Sequence, residues 1–326
     1  TLWKTTVLPH FLLHLRYIHD ASLVNELQVA LTQSLETCLH VYGDKTAILA
    51  ETGVPPLRYT QHDQLAQFRY RLRTRVGNAI PHGLWSMSTS NLHLAALPRT
   101  SIDLRMRAST RYLDPDREPN DSAMPPSVAN AKPPHREKCY LRFLQTRVSS
   151  KWVSLMRQEY NNSLALSTPS RYTAYIGLHL RDLEKRTSVY KPAHYLRADN
   201  FGQLELLRVR AQAWARIVPS HQWFPLGDRP RRDYADRHCF LCPPSSGHLG
   251  DELHMAIQCP RTNGLWLQYV DKFKQAARRL DLPPFARLSA QQQLQFALGN
   301  PPPQLLKKDY ARWMELTLPV CVEFVG

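Results

Sequence analysis

RHCFLCPPSSGHLGDELHMAIQCP, residues 237–260, gathers three of the chain's six cysteines with a histidine. Cys239 and Cys242 have two residues between them, so a tight turn can direct both sulfurs to one point. His254 follows Cys242 after eleven residues, and Cys259 follows His254 after four, so one helical turn or a loop can supply the remaining two ligands. A Cys3His set fills a tetrahedral coordination sphere and leaves no open position. The spacing therefore predicts a small zinc knuckle in which Zn²⁺ has a structural role.

The same segment allows other interpretations. A disulfide between Cys239 and Cys242 is disfavoured by the expected intracellular setting and by the nearby histidine and third cysteine. A redox pair belongs in a βαβ unit, and no such pattern surrounds these cysteines. His238 and His248 are alternative ligands, although His238 directly adjoins a ligand and would be geometrically awkward. Catalytic zinc is disfavoured because four protein ligands leave no position for water.

The chain is strongly basic. Its 326 residues include 42 Lys and Arg against 27 Asp and Glu, a formal net charge of +15. Apolar residues make up 43% of the chain, which supports a true core and excludes a wholly disordered protein, and the length suffices for two domains. A charge excess of this size favours association with nucleic acid through counterion release. The alternative is a basic but otherwise ordinary surface.

The sequence also bears on location. No apolar stretch is long enough to cross a bilayer, and the chain begins at Thr1 without an initiator Met or a signal-type apolar region. We therefore expect an intracellular protein, in the nucleus, the cytoplasm or both, with no membrane partner. We also expect the chain to be a piece of a longer polypeptide.

Apolar residues recur at three- and four-residue steps over most of the chain, which predicts a mainly α-helical fold. These steps are clearest at Leu23, Leu27, Ala30, Leu31, Leu35 and Leu39, at Leu65, Phe68, Leu72 and Val76, and at Tyr140, Phe143, Leu144, Val148, Trp152, Leu155 and Met156. Further helices are expected over residues 204–218, 266–280 and 289–298, whereas residues 163–200 have no assignment. Gly43 is placed to end the first helix, and Thr60 with Asp63 has the spacing of an N-cap and a first-turn acid.

One segment breaks the helical pattern. Six prolines lie within residues 114–136 among Asp, Asn, Ser and Lys, with almost no large apolar side chains. Such a segment cannot bury enough surface to offset its ordering entropy, which predicts a flexible Pro-rich linker over residues 113–136. The linker separates helical regions at residues 1–112 and 137–234. The zinc-binding segment, residues 235–262, and a C-terminal helical region, residues 263–326, follow.

An ordered series of motifs then suggests a family. The series consists of LLRVR at residues 206–210, Trp214, RHCFLC at residues 237–242, GDELH at residues 250–254 and QCP at residues 258–260. It resembles the C-terminal region of non-LTR (LINE-type) retrotransposon reverse transcriptases, where a basic helix precedes a zinc-binding segment. LWKTTVLP at residues 2–9 and AETGVPPL at residues 50–57 are similar to segments after the polymerase palm of that family. The resemblance implies that residues 1–112 are a helical thumb-like region.

The resemblance does not include the family's catalytic residues. Polymerisation there needs a palm with paired aspartates that hold two metal ions, and this sequence contains no Asp-Asp. We therefore expect no catalytic residues and no enzymatic activity in this chain alone. The resemblance implies a parent RNA-directed DNA polymerase whose palm lies upstream and is a partner of this region. A nuclease with dispersed acids is an alternative, but no carboxylate pair stands out.

Charge and resemblance together predict a chain that grips template–primer or target nucleic acid, RNA or DNA. The phosphate contacts are expected from Arg69, Arg71, Arg73, Arg75, Arg208, Arg210 and Arg216, and near the zinc segment from Arg229, Arg231, Arg232, Arg237 and Arg261. Phe240 and Trp223 are candidates to stack on bases. The alternatives are a solvated charged face for the arginines and core packing for the aromatic residues. The alternative function is a zinc-stapled protein-interaction module derived from such an element.

Overall fold

The computed structural model describes most of the chain and is mainly α-helical, as the sequence predicts. The described residues are 2–13, 15–18, 20–41, 43–74, 99–115, 126–165, 171–186, 188–197, 202–211, 238–302 and 304–325. Their β-structure is limited to an isolated antiparallel bridge between His238 and Leu249. Within these same ranges, no helix combines the length and the apolar character that a membrane crossing requires.

The helices vary from single turns to more than thirty residues. In chain order they are α1 (Leu2–Thr6), α2 (Leu8–Leu12), α3 (Ala21–Leu39), α4 (Lys45–Thr52), α5 (Leu57–Thr74), α6 (Arg99–Leu113), α7 (Pro126–Ala129), α8 (Pro133–Ala165), α9 (Arg171–Lys185), α10 (Gly202–Arg210), α11 (Asn263–Arg278), α12 (Ala290–Ala297) and α13 (Tyr310–Val325). Short 3-10 turns lie at Leu15–Tyr17, His194–Arg197, Pro244–Ser246, Phe285–Arg287 and Lys307–Asp309, and His254–Gln258 forms a π-helical turn.

The chain divides into two compact units. The first unit contains residues 1–33, 55–152 and 187–190, and the second contains residues 34–54, 153–186 and 191–326. The boundary between the units therefore falls within α3 and again within α8. Each unit has its own set of buried side chains.

The first unit is built on α5, α6 and α8. The predicted apolar stripe of α8 is confirmed, because Tyr140, Leu144 and Val148 are all buried. Tyr140 stacks on Tyr70 of α5 with ring centroids 4.2 Å apart, which packs α8 against α5. On the other side, the His62 ring of α5 lies 3.0 Å from the Ser109 hydroxyl of α6.

Two predicted helix ends are wrong. α3 ends at Leu39, and His40 rather than Gly43 takes the positive φ that closes the helix. α5 begins at Leu57, so Thr60 and Asp63 are buried inside the helix and cap nothing. The Pro56 carbonyl accepts the first helical hydrogen bond, from the Thr60 N–H at 3.3 Å. Asp63 instead accepts a hydrogen bond from the Tyr190 hydroxyl at 3.0 Å.

The flexible linker predicted for residues 113–136 is not confirmed. α7 lies inside this range and buries Val128, and α8 begins at Pro133, before the range ends. Pro133 and Pro134 occupy the first turn of α8. The N–H groups of a first turn have no partner within the helix, so a proline costs no hydrogen bond there, and its fixed φ favours the helix. Residues 116–125 lie outside the described residues.

The core of the second unit contains a cluster of aromatic rings. Phe285 packs edge-on against Phe296 with centroids 5.3 Å apart, and Phe296 packs likewise against Trp313 of α13 at 5.8 Å. Helices α11 and α12 confirm two predicted helices. Ser289 caps α12 through a capping box with Gln292. α9 occupies the region left unassigned.

Candidate metal centre

Four side chains of the second unit converge on one point, as the sequence predicts. Cys239, Cys242, His254 and Cys259 are all buried, and their ligand atoms lie within 4.8 Å of one another. The Cys242 and Cys259 sulfurs are 3.8 Å apart, the Cys239 and Cys259 sulfurs 4.0 Å, and the Cys242 sulfur lies 3.3 Å from His254 Nε2. A tetrahedral zinc with bonds of about 2.3 Å to sulfur and about 2.0 Å to nitrogen separates two sulfurs by about 3.8 Å and a sulfur from a nitrogen by about 3.5 Å. The cluster can therefore hold a metal ion.

A short bridge and a glycine position the first two cysteines. The Cys239 N–H donates to the His248 carbonyl at 2.8 Å, next to the bridge between His238 and Leu249. Gly250 lies directly opposite, where an added Cβ would come within 3.2 Å of the Cys239 Cα. A side chain at Gly250 would therefore push the strand-like segment that carries Cys239 away from the other ligands.

The π-helical turn positions the other two ligands. His254 and Cys259 are five residues apart, and a regular α-helix would place them on different faces. In the π turn, the Cys259 N–H donates to the His254 carbonyl at 2.5 Å, which brings both side chains to the same side. The Asp251 carboxylate accepts from the His254 N–H at 2.8 Å and fixes the start of the turn. Sequence spacing predicted these ligands, but not the π turn that aligns them.

Burial and hydrogen bonds shift the pKa of three of the four side chains. Desolvation and the adjoining Cys239 and Cys259 thiols raise the pKa of Cys242 to about 11. Desolvation would also raise the pKa of Cys259, but hydrogen bonds from the Arg261 N–H and the Thr262 hydroxyl outweigh it and lower this pKa. Desolvation and the nearby His248 lower the pKa of His254, so its imidazole is neutral and able to bind a metal.

The residues around the cluster complete a buried soft-donor site. The Met255 thioether lies 3.4 Å from the Cys239 sulfur and is itself buried. The His248 ring stacks on the His254 ring with centroids 4.8 Å apart. His238 and His248 are exposed and do not belong to the ligand group, so the alternative ligands raised by the sequence are not supported.

Two arginines predicted to bind phosphate are buried. Arg69 is only 6% exposed, and Arg210 is only 1% exposed. Neither guanidinium can reach a phosphate from these positions, so both predictions are wrong. A guanidinium that the sequence places among other basic residues can equally well serve an internal ion pair.

The other predicted contacts fall into two groups. Arg71 donates to Glu137 at 2.9 Å, Arg208 pairs with Glu205, and Arg261 and Phe240 are exposed, with Phe240 49% exposed. The remainder lie outside the described residues or, for Arg73 of α5, have a side chain outside them. This remainder consists of Arg73, Arg75, Arg216, Trp223, Arg229, Arg231, Arg232 and Arg237.

Arg210 belongs to a buried ion-pair network that the sequence does not predict. Its guanidinium donates to both carboxylate oxygens of Glu51 at 3.0 and 3.1 Å and to Asp182 at 2.7 Å. Arg186 binds the same two carboxylates, at 3.0 Å to Glu51 and 2.6 Å to Asp182. We call these four side chains the ion-pair network. Its two carboxylates and two guanidiniums balance in charge.

Tyrosine hydroxyls complete the hydrogen bonding of the network. Tyr175 and Tyr195 each donate to Glu51 at 2.9 Å, and Tyr310 donates to Asp182 at 2.6 Å. Burial opposes ionisation of Glu51, but Arg186 and Arg210 overcome it and hold its pKa far below the usual value. The network is therefore charged in the folded protein.

The network gives the AETGVPPL motif, residues 50–57, a structural role. Glu51 supplies one of its carboxylates, and the Glu51 carbonyl accepts from the Ala193 N–H at 2.7 Å. Gly53 has a φ of 69°, and an added Cβ there would lie 2.3 Å from the Lys191 carbonyl carbon. Only glycine tolerates both the positive φ and this close backbone approach.

No family model, no curated protein and no solved structure matched the chain.

Proposed function

We propose that Cys239, Cys242, His254 and Cys259 bind a structural Zn²⁺. We propose further that the chain is the non-catalytic, nucleic-acid-binding C-terminal part of a retrotransposon reverse transcriptase of the non-LTR type. In this role it grips template–primer or target nucleic acid beside an upstream polymerase palm, inside the cell. The observation that carries the proposal is the convergence of three buried sulfurs and one imidazole, whose ligand atoms all lie within 4.8 Å of one another.

The donor set selects the metal. Thiolates and imidazole suit Zn²⁺, whereas Mg²⁺ and Ca²⁺ require oxygen ligands. Four protein ligands leave no position for a water molecule or a substrate, so the ion stabilises the fold and does not take part in a reaction. Binding would require loss of the Cys242 proton, because the pKa of this thiol is about 11 in the metal-free protein.

The metal would replace a hydrophobic core in this segment. Phe240 and Leu241, the two residues between the first cysteines, are 49% and 37% exposed and so bury only part of their side chains. The cysteines themselves are buried around the ligand position. Metal binding at such sites is coupled to folding, so Zn²⁺ would hold together the turn at Cys239 and the π turn at His254.

Charge supports a nucleic-acid partner. The chain carries a formal net charge of +15, and Arg261 is exposed two residues after the last ligand. Phe240, half exposed on the knuckle, presents an aromatic ring on which a base can stack. With the ordered motifs, these features favour binding to RNA or DNA over an ordinary basic surface.

The test compares the metal content and RNA affinity of Cys242→Ser with those of the full wild-type chain. We expect one zinc per wild-type chain by elemental analysis, and loss of both zinc and RNA affinity in C242S. Cys38→Ser is the matched control, because Cys38 is exposed and outside the ligand group. C242S that keeps its zinc would contradict the ligand assignment.

A protein-interaction module is the second candidate. Leu265 and Leu267 of α11 are largely exposed, and Phe240 and Leu241 are partly exposed. Exposed apolar side chains can serve a protein partner. The salt dependence of the affinity for RNA or DNA distinguishes the two candidates. If the chain binds nucleic acid, this affinity falls steeply as the salt concentration rises, whereas an affinity that hardly changes with salt would favour the protein partner.

A further inference from the structure

The first-unit part of α8, residues 133–152, exposes a continuous basic face. Five side chains lie on the side opposite the buried stripe of Tyr140, Leu144 and Val148 and are all exposed. We call them the basic face of α8: His135, Lys138, Arg142, Thr146 and Ser150. Their three- and four-residue spacing puts them on successive turns, about 6 Å apart along the helix axis where four residues separate them.

Two of the five Lys and Arg in residues 133–152 lie on that face. The segment has a single acid, Glu137, whose carboxylate pairs with Arg71 at 2.9 Å. Arg136 donates to the Ala131 carbonyl at 3.0 Å. Arg147 pairs with Asp114 at 3.5 Å, and the Lys151 ammonium lies 5.1 Å from the centre of the Tyr112 ring. Both of these cations are therefore engaged with the C-terminal end of α6.

Lys138 and Arg142 differ from these neighbours. Neither forms an ion pair with any residue in the described part of the chain. They project one turn apart from a rigid helix whose opposite face is locked into the unit by Tyr70 and Tyr140. Two unpaired cations one turn apart match an anionic partner with regularly repeated charges.

The rest of the face identifies the chemistry of that partner. Beyond the two cations it offers an imidazole and the Ser150 hydroxyl, with no carboxylate to repel a phosphate; the Thr146 hydroxyl donates to the Arg142 carbonyl at 2.9 Å. Cations and hydroxyls of this kind contact phosphate and sugar oxygens. The face carries no Phe, Tyr or Trp, the rings on which the bases of single strands stack. The composition thus suits a duplex held by its backbone.

We propose that the basic face of α8 binds the sugar–phosphate backbone of a double-stranded nucleic acid without reading its sequence. Lys138 and Arg142 each neutralise one phosphate, and the Ser150 hydroxyl donates to a phosphate further along the same strand. This inference rests on the proposed function and adds a contact helix outside the motifs and the metal segment.

The test is the double variant Lys138→Gln/Arg142→Gln in the full chain, titrated with a fluorescent DNA duplex and with one of its single strands. Each lost phosphate contact lowers the slope of log affinity against log salt by about 0.9 on a duplex, so the slope should become shallower by about 1.8. If the affinities of variant and wild type are equal at about 1 M salt, a slope difference of about 1.8 over the tenfold change to 0.1 M salt makes the variant bind duplex roughly 60-fold more weakly at 0.1 M. Single-strand affinity should change far less.

The matched control removes the same charge elsewhere. Lys308 and Arg312 are exposed in the second unit, and Lys308→Gln/Arg312→Gln should leave the duplex slope nearly unchanged. Zinc content and thermal unfolding should equal wild type in both variants, because all four side chains are exposed.

The outcomes separate this inference from the proposed function. If wild type binds duplex with a steep salt slope and K138Q/R142Q keeps that slope, the basic face is not the contact and only this inference fails. Equal losses in both double variants would show a general charge effect and would also overturn it. If wild type shows no salt-dependent binding to either probe, the proposed function fails as well.

Discussion

Replacement of Arg210 by Met should cost about 3–5 kcal/mol of unfolding free energy, because it removes one cation from the buried ion-pair network. Arg210 is 1% exposed and donates to Glu51, to Asp182 and to the Leu298 carbonyl at 2.5 Å. Without it, Arg186 alone faces two buried carboxylates, so one negative charge is left unpaired. Because none of these groups is accessible to water, solvent cannot compensate the loss.

Two companion variants isolate the electrostatic part of this cost. The double variant Arg210→Met/Glu51→Gln leaves Arg186 paired with Asp182 and restores neutrality. Its loss of unfolding free energy should therefore be smaller, by about 1 kcal/mol or more, than the sum of the losses in Arg210→Met and in Glu51→Gln. Arg208→Met is the matched control on the same helix. Arg208 is partly exposed and paired with Glu205, so its loss should cost less than about 1 kcal/mol.

The assay is urea unfolding of the full chain, followed by circular dichroism and by tryptophan fluorescence. Midpoints can be compared as stabilities only where the slope m is unchanged and both probes coincide. If R210M were as stable as R208M, the ion-pair network would not contribute the expected stability. If the double variant lost as much unfolding free energy as the two single variants together, the four charges would not act as a unit.

Three further predictions follow from the described contacts. Burial lowers the pKa of His179 from 6.5 to about 3, so between these pH values the unfolded chain binds more protons than the folded chain. The unfolding free energy should therefore fall by up to about 1.4 kcal/mol for each pH unit as the pH drops from 6.5 towards 3. His179→Gln should flatten that pH profile, and a profile that is unchanged would be inconsistent with a buried neutral imidazole. Gly250→Val should speed zinc loss to a chelator, because its Cβ would crowd Cys239, whereas Gly264→Ala, with open space around it, should not; equal rates would argue against this packing. Phe240→Ala should weaken single-strand binding by about 1–3 kcal/mol with the melting temperature unchanged, and unaltered affinity would exclude stacking on this ring.

Features that depend on short spacing were predictable from the sequence. The ligands of the metal centre lie within residues 239–259, so their pattern shows before any tertiary contact is known. The same holds for the buried stripe of α8 and for the capping box of Ser289 and Gln292, which lie three positions apart. Each of these is a local pattern that the sequence shows within one or a few turns.

Features that join distant parts of the chain were not predictable. Glu51 and Arg210 are 159 residues apart, and nothing local shows that each is the other's partner. The local sequence around an arginine in a basic stretch does not show whether the side chain faces solvent or the core. For this reason Arg210 and Arg69 were predicted as phosphate contacts although both are buried. Prolines are likewise compatible with two structures, a flexible linker and the first turn of a helix. Pro133 was expected in the linker and is the first residue of α8.

X-ray absorption at the zinc K-edge of the natively folded, purified chain, together with its metal content, tests whether the four side chains bind zinc. We expect one zinc per chain with three sulfur neighbours at about 2.3 Å and one nitrogen neighbour at about 2.0 Å. A folded chain without metal, or a zinc shell made mainly of oxygen, would contradict the assignment of Cys239, Cys242, His254 and Cys259 as its ligands.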